Sequence, residues 1–263
     1  MRCGGWAPNL PAIDHTKPRK PQPPTMKLKH LTSAIALAAA AATSQAGTLT
    51  LNSWTYGNGN AVNAVSTSPA ASFSGQAGGF SGTLSGVAGF GPSIETYCVE
   101  LTQTFDMGTA YSNYFLVSAS SYFGNTKANA LGQLLSYANP LVAGAAAGSK
   151  DDYSTALQLA IWNTVYDSDS TVASGIFKDT SGFAARANAF LSGAASFANG
   201  LELFVLQSQA GVPQGSAGHQ DQLIWRARPD RSNDVPEPAS LALALGAIGA
   251  LGWSSRRRRP AAH

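Results

Sequence analysis

The sequence predicts an α+β fold: a single domain with a strand-rich N-terminal half, a helical subdomain and returning C-terminal strands. Between residues 47 and about 116, β-branched and aromatic residues lie between clusters of Gly, Asn and Ser, as is typical of strands. From residue 126 onward, apolar residues recur every three or four positions, which indicates helices. Strand-like segments return after residue 200. This order of elements is typical of an α+β domain.

The first predicted strands alternate with turn residues, and the last two follow the helices. A Gly- and Pro-rich segment at 211–218 separates that last pair and predicts a hairpin. The predicted strands cover residues 48–56, 79–87, 94–105, 111–117, 201–206 and 222–225.

Three helices are predicted from apolar spacing. The first contains Leu131, Leu134 and Leu135 and is expected to stop at Asn139-Pro140, because proline disrupts a helix interior. The second covers residues 151–166, with Asp152 or Ser154 as its N-cap. The third is expected to end at Asn199-Gly200, and its apolar positions are Phe183, Ala187, Phe190, Leu191, Ala194 and Phe197.

The net charge of +3 is concentrated at the two ends of the chain. Residues 47–235 contain seven Lys and Arg against twelve Asp and Glu, so the body is mildly acidic at −5. A nucleic-acid-binding domain needs a basic face, which seven scattered bases cannot form. We therefore expect no nucleic-acid partner.

The N-terminal end predicts an export signal. Residues 1–25 contain six prolines and no apolar periodicity, so they are interpreted as a non-native upstream extension, with Met26 as the start. Two lysines, an alanine-rich apolar stretch and Ser44-Gln45-Ala46 follow, as in a secretory signal peptide at residues 26–46. The exported domain is then expected at 47–228, and a linker at 229–235.

The C-terminal end contains three signals in series. A Pro-Glu-Pro sequence at 236–238 precedes an apolar run at 239–253, and four arginines follow at 256–259. This tail, residues 236–263, resembles the PEP-CTERM sorting signal of exopolysaccharide-producing Gram-negative bacteria. The resemblance implies an exosortase as partner, transient insertion of 239–253 in the inner membrane as a short transmembrane helix, and delivery to the cell surface or outside. A permanent C-terminal anchor is the alternative.

The mature body contains one cysteine, Cys98, and one histidine, His219. A structural zinc site needs about four Cys or His ligands, and an intramolecular disulfide needs a second cysteine. Phosphate-binding loops and nucleophile-elbow motifs are also absent from the sequence. We therefore expect no metal and no cofactor.

Cys98 and Gln158 are the two unusual positions of the body. Strand alternation places Cys98 opposite the apolar face that contains Tyr97 and Val99, together with Glu100 and three threonines. Helical spacing places Gln158 on an apolar stripe with Trp162, although a buried amide needs hydrogen-bond partners. Gln158 could simply bond the backbone of a neighbouring loop, and Cys98 could be a small buried hydrophobe.

The sequences Tyr97-Cys98-Val99-Glu100 and 157–162 (Leu-Gln-Leu-Ala-Ile-Trp) resemble the Cys-Gln thioester domains of bacterial surface adhesins. The resemblance implies that Cys98 attacks the Gln158 carboxamide, releases ammonia and stores an internal thioester. An amine or hydroxyl on a host or matrix molecule would then attack the acyl carbon, which attaches the protein covalently once, without enzymatic turnover.

Two further roles follow from this mechanism. Tyr97, Trp162 and Tyr166 are expected to exclude water from the thioester. Glu100 or Asp167 is expected to handle the protons.

Two other functions are compatible with the sequence. The first is a non-covalent surface or exopolysaccharide-matrix protein, such as a biofilm component, in which Cys98 and Gln158 are only structural. The second is a hydrolase that uses Cys98 with His219, although no third orienting group is identified for that pair.

Overall fold

The computed structural model describes residues 46–208 and 218–229. Within these residues the chain forms strands, then helices, then strands again, so the predicted α+β fold is confirmed. In chain order the strands are β1 (Gly47–Trp54), β2 (Asn60–Thr67), β3 (Ala70–Ala77), β4 (Phe80–Ser85), β5 (Ser93–Cys98), β6 (Ala110–Ser118), β7 (Phe177–Asp179), β8 (Leu201–Gln207) and β9 (Gln222–Ala227).

Six of these strands close a barrel in the order β1-β4-β5-β9-β8-β6, and every neighbouring pair is antiparallel. The predicted C-terminal hairpin is present as the β8–β9 pair. A separate three-stranded sheet has the order β3-β2-β7. Strand β5 lies between β4 and β9: it pairs with β4 over residues 93–96 and with β9 at Tyr97 and Cys98.

The helices are α1 (Ala119–Phe123), α2 (Asn125–Gly144), α3 (Lys150–Tyr166) and α4 (Ala184–Ala194). Helix α3 is central, because every residue from 154 to 166 is buried. It contacts α2, α4, the three-stranded sheet and β5. A helix buried on all sides explains why its sequence has little amphipathic character.

Three predicted helix boundaries are wrong. Helix α4 ends at Ala194 rather than at Asn199-Gly200, so Phe197 lies beyond it and is exposed. Helix α2 continues through Pro140 to Gly144. Proline costs a helix interior about 3 kcal/mol, but the last turn buries Val142, which is worth roughly 2 kcal/mol. Helix α3 begins at Lys150, so neither Asp152 nor Ser154 is its N-cap.

The side chains in the first turns of α3 bond strand ends instead. The Asp151 carboxylate accepts a hydrogen bond from the Gly59 amide at 3.1 Å. The Ser154 hydroxyl accepts one from the Gly79 amide at 2.8 Å. These polar groups attach α3 to the loops before β2 and β4, which is why the helix can start earlier than its capping pattern suggests.

The predicted strand at 94–105 is too long. Strand β5 ends at Cys98, and the chain then leaves the sheet. The Val99 amide donates to the Asp221 carbonyl at 3.2 Å, and the Leu101 amide donates to the Tyr166 hydroxyl at 3.1 Å. The alternation used to assign faces therefore stops at Cys98.

Several predicted segments lie outside the described residues. They are the extension at 1–25, the signal peptide at 26–46 except residue 46, and the linker at 229–235 except residue 229. The tail at 236–263, with its apolar run 239–253, also lies outside them. Among the residues described, no helix is both long enough and apolar enough to cross a membrane.

Candidate functional site

The structure brings Cys98 and Gln158 into direct contact. The Cys98 amide donates to Gln158 Oε1 at 2.9 Å, and Gln158 Nε2 donates to the Cys98 carbonyl at 2.7 Å. Both residues are buried, with 4% and 1% of their surface exposed. The side chain of Gln158 thus pairs with the main chain of the residue that carries the thiol.

The ladder around β5 explains this pairing. Strand β4 pairs with β5 only as far as Phe80, which lies opposite Thr96. On the other edge, Cys98 lies opposite Gln222 of β9. The Cys98 amide and carbonyl on the β4 side therefore lie beyond the end of β4, and Gln158 supplies the two bonds that a neighbouring strand would make. This satisfies main-chain groups that would be costly to bury unpaired.

A cavity of about 330 Å³ opens beside the pair. Cys98, Gln158, Gln103 and Gln220 are among its lining residues, while Gln76 and Met107 are lining residues exposed to solvent. Among the described residues that line the cavity, Cys98 alone has an ionisable side chain. The walls are mainly aromatic and comprise Trp54, Phe73, Phe80, Phe105 and Trp162.

Burial raises the pKa of the Cys98 thiol to about 12. A hydrogen bond from Gln222 lowers this pKa, and the charge of Glu100 raises it further. Loss of hydration disfavours the thiolate more than one neutral donor favours it. The thiol is therefore protonated at neutral pH. Its reactivity depends on the neighbouring groups that favour or disfavour the thiolate.

Cys98 lies on the face of β5 opposite Tyr97, as the alternation predicts, but that face is buried as well. Its face of β5 includes Thr96 and faces Gln222, and all three side chains are buried. Tyr97, on the other face, stacks on Trp225 with ring centroids 6.0 Å apart. Both faces of β5 are covered in a closed barrel, so alternation between apolar and polar residues does not distinguish inside from outside.

Only one of the three expected shielding aromatics lines the cavity. Trp162 does so and packs against Phe73 with ring centroids 5.1 Å apart. The Tyr97 hydroxyl instead lies 3.5 Å from Ser154 Oγ, and the Tyr166 hydroxyl accepts from the Leu101 amide. The aromatics of β1, β3, β4 and the chain after β5 were not predicted, because no local motif marks them.

The structure places Glu100, but not Asp167, near the thiol. Glu100 is fully buried and its charge acts on Cys98. The Tyr122 hydroxyl contacts Glu100 Oε1 at 3.3 Å and Asp221 Oδ2 at 2.8 Å, which links two buried carboxyl groups. Asp167 follows α3 and accepts the Phe177 amide at 3.2 Å, so it supports β7.

His219 is not among the residues that line the cavity with Cys98. Its ring packs against Tyr111, with centroids 4.0 Å apart. Nothing in the described part of the chain pairs His219 with the thiol, so the geometry gives the hydrolase alternative no support. Among the same residues, no group of three or more His, Cys, Asp or Glu could hold a metal ion.

Gln222 is the site residue that the sequence did not reveal. Its Nε2 lies 3.6 Å from Cys98 Sγ, and its Oε1 accepts from the Thr96 hydroxyl at 3.1 Å. The feature that identifies Gln222 is the register of β5 and β9, because Gln222 lies directly opposite Cys98. Two glutamines, one on each side, therefore surround the cysteine.

Comparison with known families identifies the C-terminal tail. Residues 234–259 match the model of the PEP-CTERM protein-sorting motif. The chain carries an exosortase sorting signal. The PEP-CTERM signal implies an exported protein that passes the membrane and is processed, with exosortase as the recognising partner. The predicted sorting tail is thus confirmed, whereas no curated protein and no solved structure matches the chain.

Proposed function

We propose that the exported domain stores an internal thioester between Cys98 and Gln158 and uses it once to attach covalently to a partner at the cell surface or in the matrix. The observation that supports this proposal best is the contact of the Gln158 amide with Cys98 in one aromatic-walled cavity.

The bond-forming step needs no external reactant. Cys98 Sγ attacks the Gln158 side-chain carbon, a C–S bond forms and the C–N bond breaks. The thiol proton leaves with the nitrogen as ammonia. The Cys98 amide, 2.9 Å from Gln158 Oε1, lies where negative charge develops on that oxygen during the attack. A donor at this distance stabilises an oxyanion.

The surroundings preserve the stored bond. The aromatic walls limit the water that reaches the acyl carbon, and once Cys98 is acylated the described residues that line the cavity include no general base. Of the two carboxylates expected to move protons, Glu100 is the one near the thiol. We therefore assign proton handling to Glu100 rather than to Asp167.

Attachment to a partner breaks the thioester and regenerates the Cys98 thiol. An amine or hydroxyl of a host or matrix molecule enters past the exposed Gln76 and Met107 and bonds to the Gln158 carbon. The C–S bond breaks, and the sulfur takes the proton that the nucleophile loses. The products are an amide or ester at Gln158 and a free Cys98 thiol, so each molecule acts once.

A non-covalent surface or exopolysaccharide-matrix role is the second candidate, because one observation favours it. Asp151, Ser154 and Thr155 of α3 also bond backbone groups at strand ends, in the same way as Gln158. Gln158 could thus be the last member of a purely structural row. In that case Cys98 would be a buried thiol with no covalent partner.

Methylamine trapping distinguishes these two functions. The purified protein is incubated with methylamine and mapped by peptide mass spectrometry. The thioester predicts an N-methylamide at Gln158 and none at Gln103 or Gln220, which line the same cavity and serve as internal controls. A Cys98→Ala variant should show no modification. An unmodified Gln158, or equal modification in Cys98→Ala, would rule out the thioester.

A further inference from the structure

Gln222 lies beside the sulfur because of the β5–β9 ladder. Cys98 and Gln222 are directly paired residues, so their side chains project from the same face of the sheet. Gln222 is fully buried, and its Nε2 and Oε1 lie 3.6 and 4.0 Å from Cys98 Sγ. Its position is therefore fixed by main-chain register as well as by its own contacts.

Neighbouring groups set which end of the Gln222 amide faces the sulfur. The carbonyl of Gln220 lies 3.4 Å from Nε2, and a carbonyl can only accept, so that atom must be the nitrogen. The Thr96 hydroxyl lies 3.1 Å from Oε1 and 2.9 Å from the Leu223 carbonyl, and it shares its one proton between these two acceptors. The amide nitrogen is thus the nearer of the two amide atoms to Cys98 Sγ, at 3.6 Å against 4.0 Å for the oxygen.

We propose that Gln222 is a positioning residue of the thioester reaction: its Nε2 N–H bonds the Cys98 sulfur, aims it at the Gln158 carbon and stabilises it as the leaving group. This inference rests on the proposed function. When a nucleophile bonds to the Gln158 carbon, the electron pair of the breaking C–S bond goes to sulfur. The buried sulfur is then briefly anionic, and Gln222 is the donor positioned to stabilise it.

The effect of Gln222 on the pKa of the thiol has the sign that this role requires. Burial raises the pKa of Cys98, and the hydrogen bond from Gln222 acts in the opposite direction. A hydrogen bond to a charged group is roughly twice as strong as one between neutral groups. Gln222 therefore stabilises the sulfur more when it is charged than when it is bound to carbon, as leaving-group stabilisation requires.

The test compares Gln222→Met with Gln207→Met. Methionine keeps the length of the side chain but removes the N–H. Gln207 is a second buried glutamine of the barrel, on β8, and does not line the cavity. For each variant, the rate at which methylamine releases the Cys98 thiol is measured against pH, together with the melting temperature.

We expect Gln222→Met to slow thiol release by about 10- to 100-fold, while Gln207→Met lowers the melting temperature without changing the rate. Thr96→Val removes the contact of the Thr96 hydroxyl with the Gln222 amide, so it should slow thiol release by a smaller factor. This variant provides the test if Gln222→Met does not fold. If both Gln222→Met and Thr96→Val react at the wild-type rate, Gln222 has only a structural role.

Failure of the thioester itself would be visible separately, because the wild-type protein would then have lost no ammonia. In that case, the alkylation rate of Cys98 by iodoacetamide is compared instead. A slower rate in Gln222→Met at every pH would retain Gln222 as the residue that favours the thiolate. An unchanged rate would overturn that assignment.

Discussion

The side-chain amide of Gln158 forms two hydrogen bonds with the main chain of Cys98, at 2.9 and 2.7 Å. Helix α3 thus completes the edge of β5 where β4 has ended. The same contact holds the acyl group of Gln158 next to the thiol. One arrangement therefore supports both the structure of the barrel and the proposed chemistry, and its two contributions need to be separated by experiment.

The structural contribution of Gln158 can be measured without a thioester. In a Cys98→Ala background, we expect Gln158→Ala to lower the free energy of unfolding by about 2–4 kcal/mol, because two buried main-chain groups lose their partners. Gln133→Ala is the matched control, since Gln133 of α2 donates one bond to the Phe197 carbonyl and is partly exposed. Its cost should stay below about 1 kcal/mol. Equal costs, measured by urea unfolding, would contradict the assigned pairing.

The alkylation of Cys98 should depend on pH in an unusual way. After methylamine treatment the thiol is free under either function, and burial raises its pKa to about 12. The rate with iodoacetamide should therefore rise about tenfold per pH unit, with no plateau near the ordinary value of about 8.5. Glu100→Gln should shift the profile to lower pH, because the charge of Glu100 disfavours the thiolate. A plateau near 8.5 would contradict the buried placement of the sulfur.

The stability of the domain should respond to the buried carboxyl Asp221. Burial raises its pKa, while hydrogen bonds from Ser208 and Tyr122 lower it. A carboxyl whose pKa is raised on folding binds its proton more tightly in the folded state, so acidification favours folding at this site. The gain in stability begins as the pH falls through the raised pKa of Asp221 in the folded state. It is complete near the pKa of the unfolded state, about 3.9.

Asp221→Asn should remove this effect. The amide oxygen can still accept from the Ser208 amide, a bond of 2.7 Å in the wild type. In urea unfolding from neutral pH down to about pH 4, the stability of the wild type relative to Asp221→Asn should increase. A difference that is constant, or that decreases on acidification, would show that the pKa of Asp221 is not raised by folding.

Pro140 offers a prediction about the fold alone. It lies inside α2 and is exposed to solvent. Replacing it by alanine restores a main-chain donor and improves helix propensity, so Pro140→Ala should stabilise the domain by about 1–3 kcal/mol. An exposed neighbour, Leu141→Ala, should change little by comparison. A lower melting temperature for Pro140→Ala would show that the helix needs its proline.

The sequence allowed some elements to be predicted because their signals are local. Helix α2 has buried residues at helical spacing, namely Leu131, Leu134, Leu135 and Ala138, and the β8–β9 hairpin has a Gly- and Pro-rich connecting segment in the sequence. The β2–β3 hairpin was missed, since it consists mostly of Ala, Ser, Asn and Gly, which have weak strand preference. It is stabilised instead by tertiary contacts with α3, such as that of Phe73 with Trp162.

The candidate site divides in the same way. Cys98 and Gln158 belong to short motifs, so both were found from the sequence. The cavity walls come from β1, β3, β4 and the chain after β5, and Gln222 depends on the register of β9. These features follow from closure of the barrel and from the packing of the three-stranded sheet against α3, which no local pattern encodes.

The intact mass of the purified protein tests the thioester most directly. We predict that the wild type is lighter by one ammonia than its own peptide sequence requires, whereas Cys98→Ala and Gln158→Ala have their full masses. Methylamine should add its whole mass to the thioester, so that the product is heavier than the peptide sequence requires by one CH2 group. A wild-type protein with its full mass, and with Cys98 alkylated as a free thiol after unfolding, would contradict the thioester and favour the non-covalent role.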